Sequence, residues 1–444
     1  MPRARYKHLV DQFAADIRAG RLQPGTRLPP HRQLAAREGL ALVTASRVYA
    51  ELEAMGLVSG ETGRGTFVKE AALPPGQGVE LLASAADMVD LSFNYPSLPG
   101  QAEMLRSALR QLALGGDLEA LLRYQPLGGR PHEREIAARH LADRGLAVTG
   151  EQLLWVEGAQ HGLMLSGLAF LQPGDVVAVD SLSYPGFKLV AEALRLELLA
   201  IPARGAGPDL AQLEAACRRR RVRALYTMPT LHNPLGWVMG LQRRRELVAL
   251  ARRQEILLIE DGAYAYLADN AAPPLAALAP ELTVYVSGLS KSVAAGLRSG
   301  FVVAPKDWIP RLERALRANS WSTPGLTSAL ACAWLADGTV RRLEAQKRAD
   351  ARQRQQLAAE LLGPLKRQGH ANSYFVWLPL GEDVRADQVA MDLFRRGISV
   401  STAEPYATGT LVPHAIRLAL GSVDLPQLRR ALQTVREVID ARSY

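Results

Sequence analysis

Two cysteines in 444 residues, Cys217 and Cys332, are too few for a disulfide framework, and neither stands in the paired spacing of a metal site. They read as two small buried hydrophobes. No apolar run approaches the length of a membrane span. The opening MPRARYKHLVDQF is basic but has no apolar core behind it, which argues against a secretory signal. No low-complexity tract and no internal repeat appears. Together these absences lead to the expectation of a cytoplasmic protein without metal or membrane. What is present is a 48% hydrophobic content, enough for large cores, and a length that implies two or three domains. The formal net charge is +9, which favours a polyanionic partner.

Composition changes near residue 70. KEAALPPGQGVELLASAA (69–86) reads as a linker, because Pro74-Pro75 and its glycines break regular structure. The expected division is a domain at 1–69, a linker at 70–88 and a second domain at 89–444. In the second part LLWVEG, DVVAVD, RALYTMP, ILLIED and TVYVSG read as buried strands separated by helical patterns such as QRRRELVALARRQ. That alternation predicts an α/β domain with a mainly parallel sheet, whose ligand groups collect at strand C-termini.

The first 69 residues read differently. Leu9, Phe13 and Ile17 share a helix face over 5–20, stopped by Gly20. Two further helices, 29–39 and 40–56, end at Gly39 and Gly56 and match a helix-turn-helix. LVSGETGRGTFV (57–68) follows as strand, turn and strand, a β-hairpin wing. The third helix would enter a major groove by its N-terminal end, where Thr44, Ser46 and Arg47 are the polar side chains. Arg32, Arg64 and Lys7 would hold phosphates. The competing reading is a dimerisation arm with solvated charges. Leu28-Pro29, Arg32, Leu34-Ala35, Tyr49, Leu52, Gly56 and Gly65-Thr66-Phe67 strongly resemble the winged helix of GntR-type transcription regulators. Many of those carry Ser-Arg where this chain has Ala41-Leu42, which removes one common phosphate contact.

The run TVYVSGLSKSVAAGLRSGFVVAP (283–305) places Lys291 just past a strand end, an expensive position unless its amine is used. Lysine forms Schiff bases with carbonyls, and pyridoxal phosphate is the cofactor that most often exploits this. The remaining requirements are also met at strand ends. Asp261 can pair a protonated pyridine nitrogen. Tyr264 and Asn233 can donate to the phenolate oxygen, and Tyr184 can stack on the ring. EGAQHGL opens a helix whose backbone N–H groups at Ala159 and Gln160 would face an anion, joined by Ser287, Ser290 and Arg298. Each feature alone has a bland reading, as a helix cap, a plain turn or core. Their conjunction in this order does not.

YQPLGGRPHEREIAARHLADRG (124–145), EGAQHGL, YPG, HNPLG, EDGAY and SGLSKSVAAGLRSGFV resemble the fold type I aminotransferases over residues 89–440. The resemblance implies that Lys291 holds the cofactor as an internal aldimine, and that Asp261, Asn233, Tyr264 and Tyr184 take the roles above. It implies that Arg417 grips an α-carboxylate, with Asn94 near the substrate. It implies a large subdomain at about 120–310 and a small one at 311–444 plus 89–119. It also implies a dimer in which Tyr124 approaches the neighbour's phosphate. Joined to a GntR-like winged helix, this is similar to the MocR family of bacterial regulators. The expected function is a transcription regulator, a head-to-tail homodimer on double-stranded operator DNA, that senses an amino compound or the cofactor itself through Lys291. The alternative is a working aminotransferase with an appended DNA-binding module.

Overall fold

The computed structural model describes residues 2–18, 21–23, 26–55, 57–61, 65–68, 88–115, 117–381 and 384–442. The expected linker lies outside the described residues except for residue 88. Arg64 and the helix stops at Gly20 and Gly56 also lie outside them.

The chain opens with α1 (Pro2–Arg18), α2 (His31–Glu38) and α3 (Leu42–Ala54), then the antiparallel pair β1 (Val58–Glu61) and β2 (Gly65–Val68). Gly39 closes α2 in the left-handed conformation, φ +62°, which a side chain would strain. This turn sets α2 against α3. Val10, Phe13, Leu34, Val48, Leu52, Val58 and Val68 meet in one core, and the Tyr49 hydroxyl donates to the Pro29 carbonyl (2.5 Å). The expected winged helix-turn-helix is present.

Next come β3 (Val89–Leu91), α4 (Gln101–Gly115), α5 (Leu118–Leu121) and α6 (Pro131–Ala142). The large sheet follows with its helices: β4 (Leu153–Val156), α7 (Ala159–Phe170), β5 (Val176–Asp180), α8 (Pro185–Ala193), β6 (Glu197–Ile201), α9 (Leu210–Arg219), β7 (Val222–Thr227), α10 (Leu241–Gln254), β8 (Leu257–Asp261), α11 (Leu275–Leu278), β9 (Thr283–Gly288) and β10 (Gly300–Val303). Strand order is β4-β10-β9-β8-β7-β5-β6. The pairings β6–β5–β7–β8–β9 are parallel, and β10 alone runs antiparallel to both its neighbours. Unbroken burial along β4, β5, β9 and β10 follows from helices on both faces. The mainly parallel sheet read from the sequence is thus observed. β6 and β10 add two strands beyond the five read there.

The chain ends with α12 (Ile309–Asn319), α13 (Gly325–Ala336), α14 (Thr339–Leu362), β11 (Phe375–Pro379), α15 (Ala386–Arg395), β12 (Ile398–Thr402), β13 (Ala415–Ala419) and α16 (Leu425–Asp440). The second sheet is ordered β11-β13-β12-β3, so residues 89–91 join the C-terminal unit, parallel to β12. Ile309, Leu312 and Leu316 of α12 belong to the core of the large sheet, as do Ala331 and Trp334 of α13 to the adjoining core with α6. Within α14, Val340 and Leu343 belong to the core with α6, and Leu357, Ala358 and Leu362 to that of the second sheet. Among the described residues no helix is long and apolar enough to cross a membrane, and no cluster of metal-ligating side chains occurs.

Candidate functional site

The C-terminal ends of the parallel strands open into a cleft of about 470 Å³ lined by both subdomains. Lys291 lies three residues past β9. Its Nζ donates to the Asn94 carbonyl (2.7 Å) and sits 5.5 Å from the centroid of the Tyr95 ring. Lys347 of α14 is fully buried beside it and donates to the carbonyls of Pro96 (2.8 Å), Lys291 (3.0 Å) and Val293 (2.8 Å). Burial, helped by the charge of Lys291, pulls the Lys347 ammonium down to about 8. Lys347 thus ties the main chain around Lys291 to the segment carrying Asn94, and sequence reasoning had no signal for it.

Asp261 ends β8 and is 1% exposed. It accepts from the Tyr226 hydroxyl (2.9 Å) and from the Ala263 N–H (2.9 Å). Burial pushes its carboxyl up to about 6 despite those donors. A nitrogen cation against it would reverse that shift. Asn233 is buried with Oδ1 lacking a hydrogen-bond partner, and the buried Tyr264 hydroxyl accepts from Asn94 Nδ2 (3.5 Å). Asn233, Tyr264 and Tyr184 all line the cleft.

The raised carboxyl gives a pH signature. Between the unfolded value near 4 and the folded value of about 6 the native state binds the extra proton, so stability from this group falls as pH rises. Two units correspond to about 3 kcal/mol. Urea unfolding of cofactor-free protein at pH 4 and pH 7 should show wild type losing about that much more stability than Asp261→Asn. Saturating cofactor should remove the difference.

The anion end is built at the start of α7. Gly158 has φ +82°, and a Cβ there would come within 2.9 Å of the Arg298 guanidinium, so glycine lets the arginine close over the helix start. Arg298 donates to Ser290 Oγ (3.2 Å) and to the Glu157 carbonyl (3.1 Å), and Ala159, Gln160, Ser290 and Arg298 line the cleft together. Ser287 does not join them. Its hydroxyl is fully buried and donates to the Gly262 carbonyl (3.3 Å), because alternation along β9 turns it away. Tyr124 is 82% exposed, outside its own chain's cleft, with its ring 5.8 Å from that of Trp321.

Arg417 on β13 lies 5% exposed at the opposite end, its guanidinium carbon 5.3 Å from the centroid of the Phe375 ring and 5.5 Å from that of Tyr406. It donates to the Tyr406 hydroxyl, while its buried Nε has no hydrogen-bond partner. Tyr406 and Tyr226 are site residues that the sequence reading missed; a tyrosine within a strand or turn carries no mark of its partner.

In the winged helix Arg32 and Arg47 are exposed and Thr44 is half-buried near the start of α3. The Ser46 hydroxyl is occupied by His31 Nδ1 (2.9 Å). Arg47 lies over the Tyr6 ring and 3.7 Å from Glu51. The winged helix also touches the small subdomain. Arg385, preceding α15 and 5% exposed, donates to Asp11 (2.8 Å), to Asp387 (3.2 Å) and to Met55 Sδ (3.3 Å). His414 Nε2 lies 3.3 Å from the other Asp11 oxygen. Burial pushes the Asp11 carboxyl up, but His414 and Arg385 outweigh it and leave it below its ordinary value.

Comparison with known proteins agrees with both halves. The family model described as aminotransferase class I and II matches residues 86–435. The model of bacterial regulatory proteins of the gntR family matches residues 5–68. The chain is 28% identical to the uncharacterized HTH-type transcriptional regulator YdeF of Bacillus subtilis, over 98% of this chain and 94% of that one. It is 28% identical to the HTH-type pyridoxine biosynthesis transcriptional regulator PdxR of Corynebacterium glutamicum, over 97% and 95%. It is 29% identical to a 2-aminoadipate transaminase of Thermus thermophilus, over 74% and 84%. An archaeal alanine:glyoxylate aminotransferase structure superposes with a TM-score of 0.76 at 23% identity, over 82% of this chain and 93% of that one, a likeness of fold.

Proposed function

Because the chain belongs to the aminotransferase class I and II family and carries a gntR-family regulatory domain at residues 5–68, we propose that it is a MocR-type transcription regulator in which a pyridoxal phosphate site governs DNA binding. The observation that carries this reading is the contact of Asp11 and Met55 in the winged helix with Arg385 in the small subdomain. A cleft fit for the cofactor and a DNA reader are thereby physically joined. When bound, pyridoxal phosphate supplies an aldehyde that condenses with a primary amine, and a ring that withdraws electrons. Lys291 presents that amine. Asp261 holds a proton on the ring nitrogen, and Asn233 and Tyr264 orient the phenolate side. Arg298, Ser290 and the first N–H groups of α7 hold the phosphate. Arg417 receives the acid group of an amino ligand.

A ligand that bridges Lys291 on the large subdomain and Arg417 on the small one favours their closed arrangement. It changes operator affinity by its differential affinity for the two arrangements and no further. Leu114, Leu122 and Tyr124 are large apolar side chains left exposed, which supports assembly as a homodimer. Location in the cytoplasm is part of the same proposal.

DNA selected from a random-sequence library by the full-length protein provides the test. Arg47→Ala should weaken binding to the selected duplex by about 1–3 kcal/mol, roughly 5- to 150-fold. Arg32→Ala should weaken all sequences alike and lower the salt slope by about one. Failure to enrich any duplex would defeat the regulator reading. The completeness of the cofactor set favours one second reading, a working transaminase. Sustained formation of a keto acid from an added amino acid would select it.

A further inference from the structure

We infer that the ligand recognised beside the cofactor is an amino acid with one anionic group and an uncharged, apolar body. The inference rests on Lys291 being the cofactor lysine. Among the described residues lining the cleft the cations are Lys291, Arg298 and Arg417. Arg298 is committed to the start of α7, through Ser290 and the Glu157 carbonyl. Arg417 is left for the ligand. Its Nε is buried without an acceptor, which costs free energy until an anion supplies one. The hydrogen bond to Tyr406 and the nearby Phe375 ring hold the guanidinium, whose planar donors suit a carboxylate as a fork.

Beyond Arg417 the wall changes character. Phe93, Tyr95, Pro185, Leu189 and Tyr406 present apolar surface to the cleft. The side-chain hydroxyl of Ser401 and the amide of Gln160 are already engaged. Ser401 Oγ already donates to the Ser92 carbonyl (3.2 Å). Gln160 gives its Nε2 to the Gly186 carbonyl (2.8 Å), and its Oε1 is buried against Gly186, so this amide has no donor left for a second anion. A second carboxylate would lose its water and find no further cation of this chain in the lining to pair with. An aliphatic or aromatic side chain would instead bury apolar area there. The position after Tyr184 agrees: Pro185-Gly186 supply no cation, and a Cβ at Gly186 would overlap the Tyr184 ring.

The full-length protein loaded with pyridoxal phosphate should be titrated with leucine, phenylalanine, glutamate, 2-aminoadipate and isoamylamine, following the visible absorbance. Leucine or phenylalanine should saturate the change at a concentration at least tenfold below that of either dicarboxylate. Isoamylamine, which is leucine without its carboxylate, should need at least tenfold more than leucine. Arg417→Gln, checked for folding by thermal melting, should close the gap between leucine and isoamylamine. A dicarboxylate that binds as well as leucine overturns the inference, as does an amine that equals the acid or an equal lack of response to all five. Wild-type protein that takes up no cofactor removes the cofactor reading first, and that outcome is visible before any ligand is added.

Discussion

Lys291→Ala is expected to abolish covalent cofactor retention. Wild-type protein saturated with pyridoxal phosphate and reduced with borohydride should carry the added mass on the peptide containing residue 291; the variant should carry none. Nearby Lys347 cannot substitute, because three carbonyls at 2.8–3.0 Å hold its ammonium away from the cleft. The variant should still fold, since the Lys291 side chain makes one hydrogen bond, and the bonds to its main-chain carbonyl from Tyr266 and Lys347 survive the substitution. It should also bind DNA, but with affinity that no longer responds to amino ligand. Coupling between two sites in a protein is typically about 1–3 kcal/mol, or 5- to 150-fold. That ratio should fall to one in the variant. Equal adduct on another lysine of the variant would refute the assignment.

The sequence made the site readable to the extent that its parts are local. Lys291, Ser290 and Arg298 fall within nine residues, and the structure brings all three to one cleft. Asp261, Asn233 and Tyr264 were readable because strand ends in a parallel sheet converge, whatever their separation along the chain. Ser287 shows where this logic fails. It sits one residue before the strand's last, and the alternation of side chains buries it on the other side. Strand β10 escaped notice because GFVV is too short to distinguish from the tail of the lysine loop. The contacts between distant segments were out of reach. Arg417 and Tyr406 meet across a turn between strands, and Lys347 looks like any helix lysine until its three carbonyls are seen. Asp11 and Arg385 stand 374 residues apart, and an aspartate in a basic helix carries no sign of its partner.

Arg385→Met should therefore uncouple the two halves while leaving each intact. Arg385 is 5% exposed, and its guanidinium joins Asp11 of α1 to Asp387 at the start of α15, with Met55 on its edge. Methionine keeps most of the apolar stem and removes the charge and all three contacts. A buried pair broken from one side commonly costs 3–5 kcal/mol, but Asp11 is 44% exposed and recovers water, so about 1–2 kcal/mol is expected here. That loss falls on the contact between the winged helix and the small subdomain, not on either core. Cofactor absorbance and ligand titration should be unchanged, and the protein should still bind DNA. The ratio of DNA affinities with and without amino ligand should collapse to within about twofold of one, because no differential contact remains to transmit closure. Asp11→Asn should move the ratio the same way by a smaller amount, since His414 and Arg385 both lose their charged partner. Adding it to Arg385→Met should do little more, as expected of two residues that share one interaction. An undiminished ratio in Arg385→Met would mean that the signal reaches the DNA reader by another route, and the contact at Asp11 would then be only a resting place for α1.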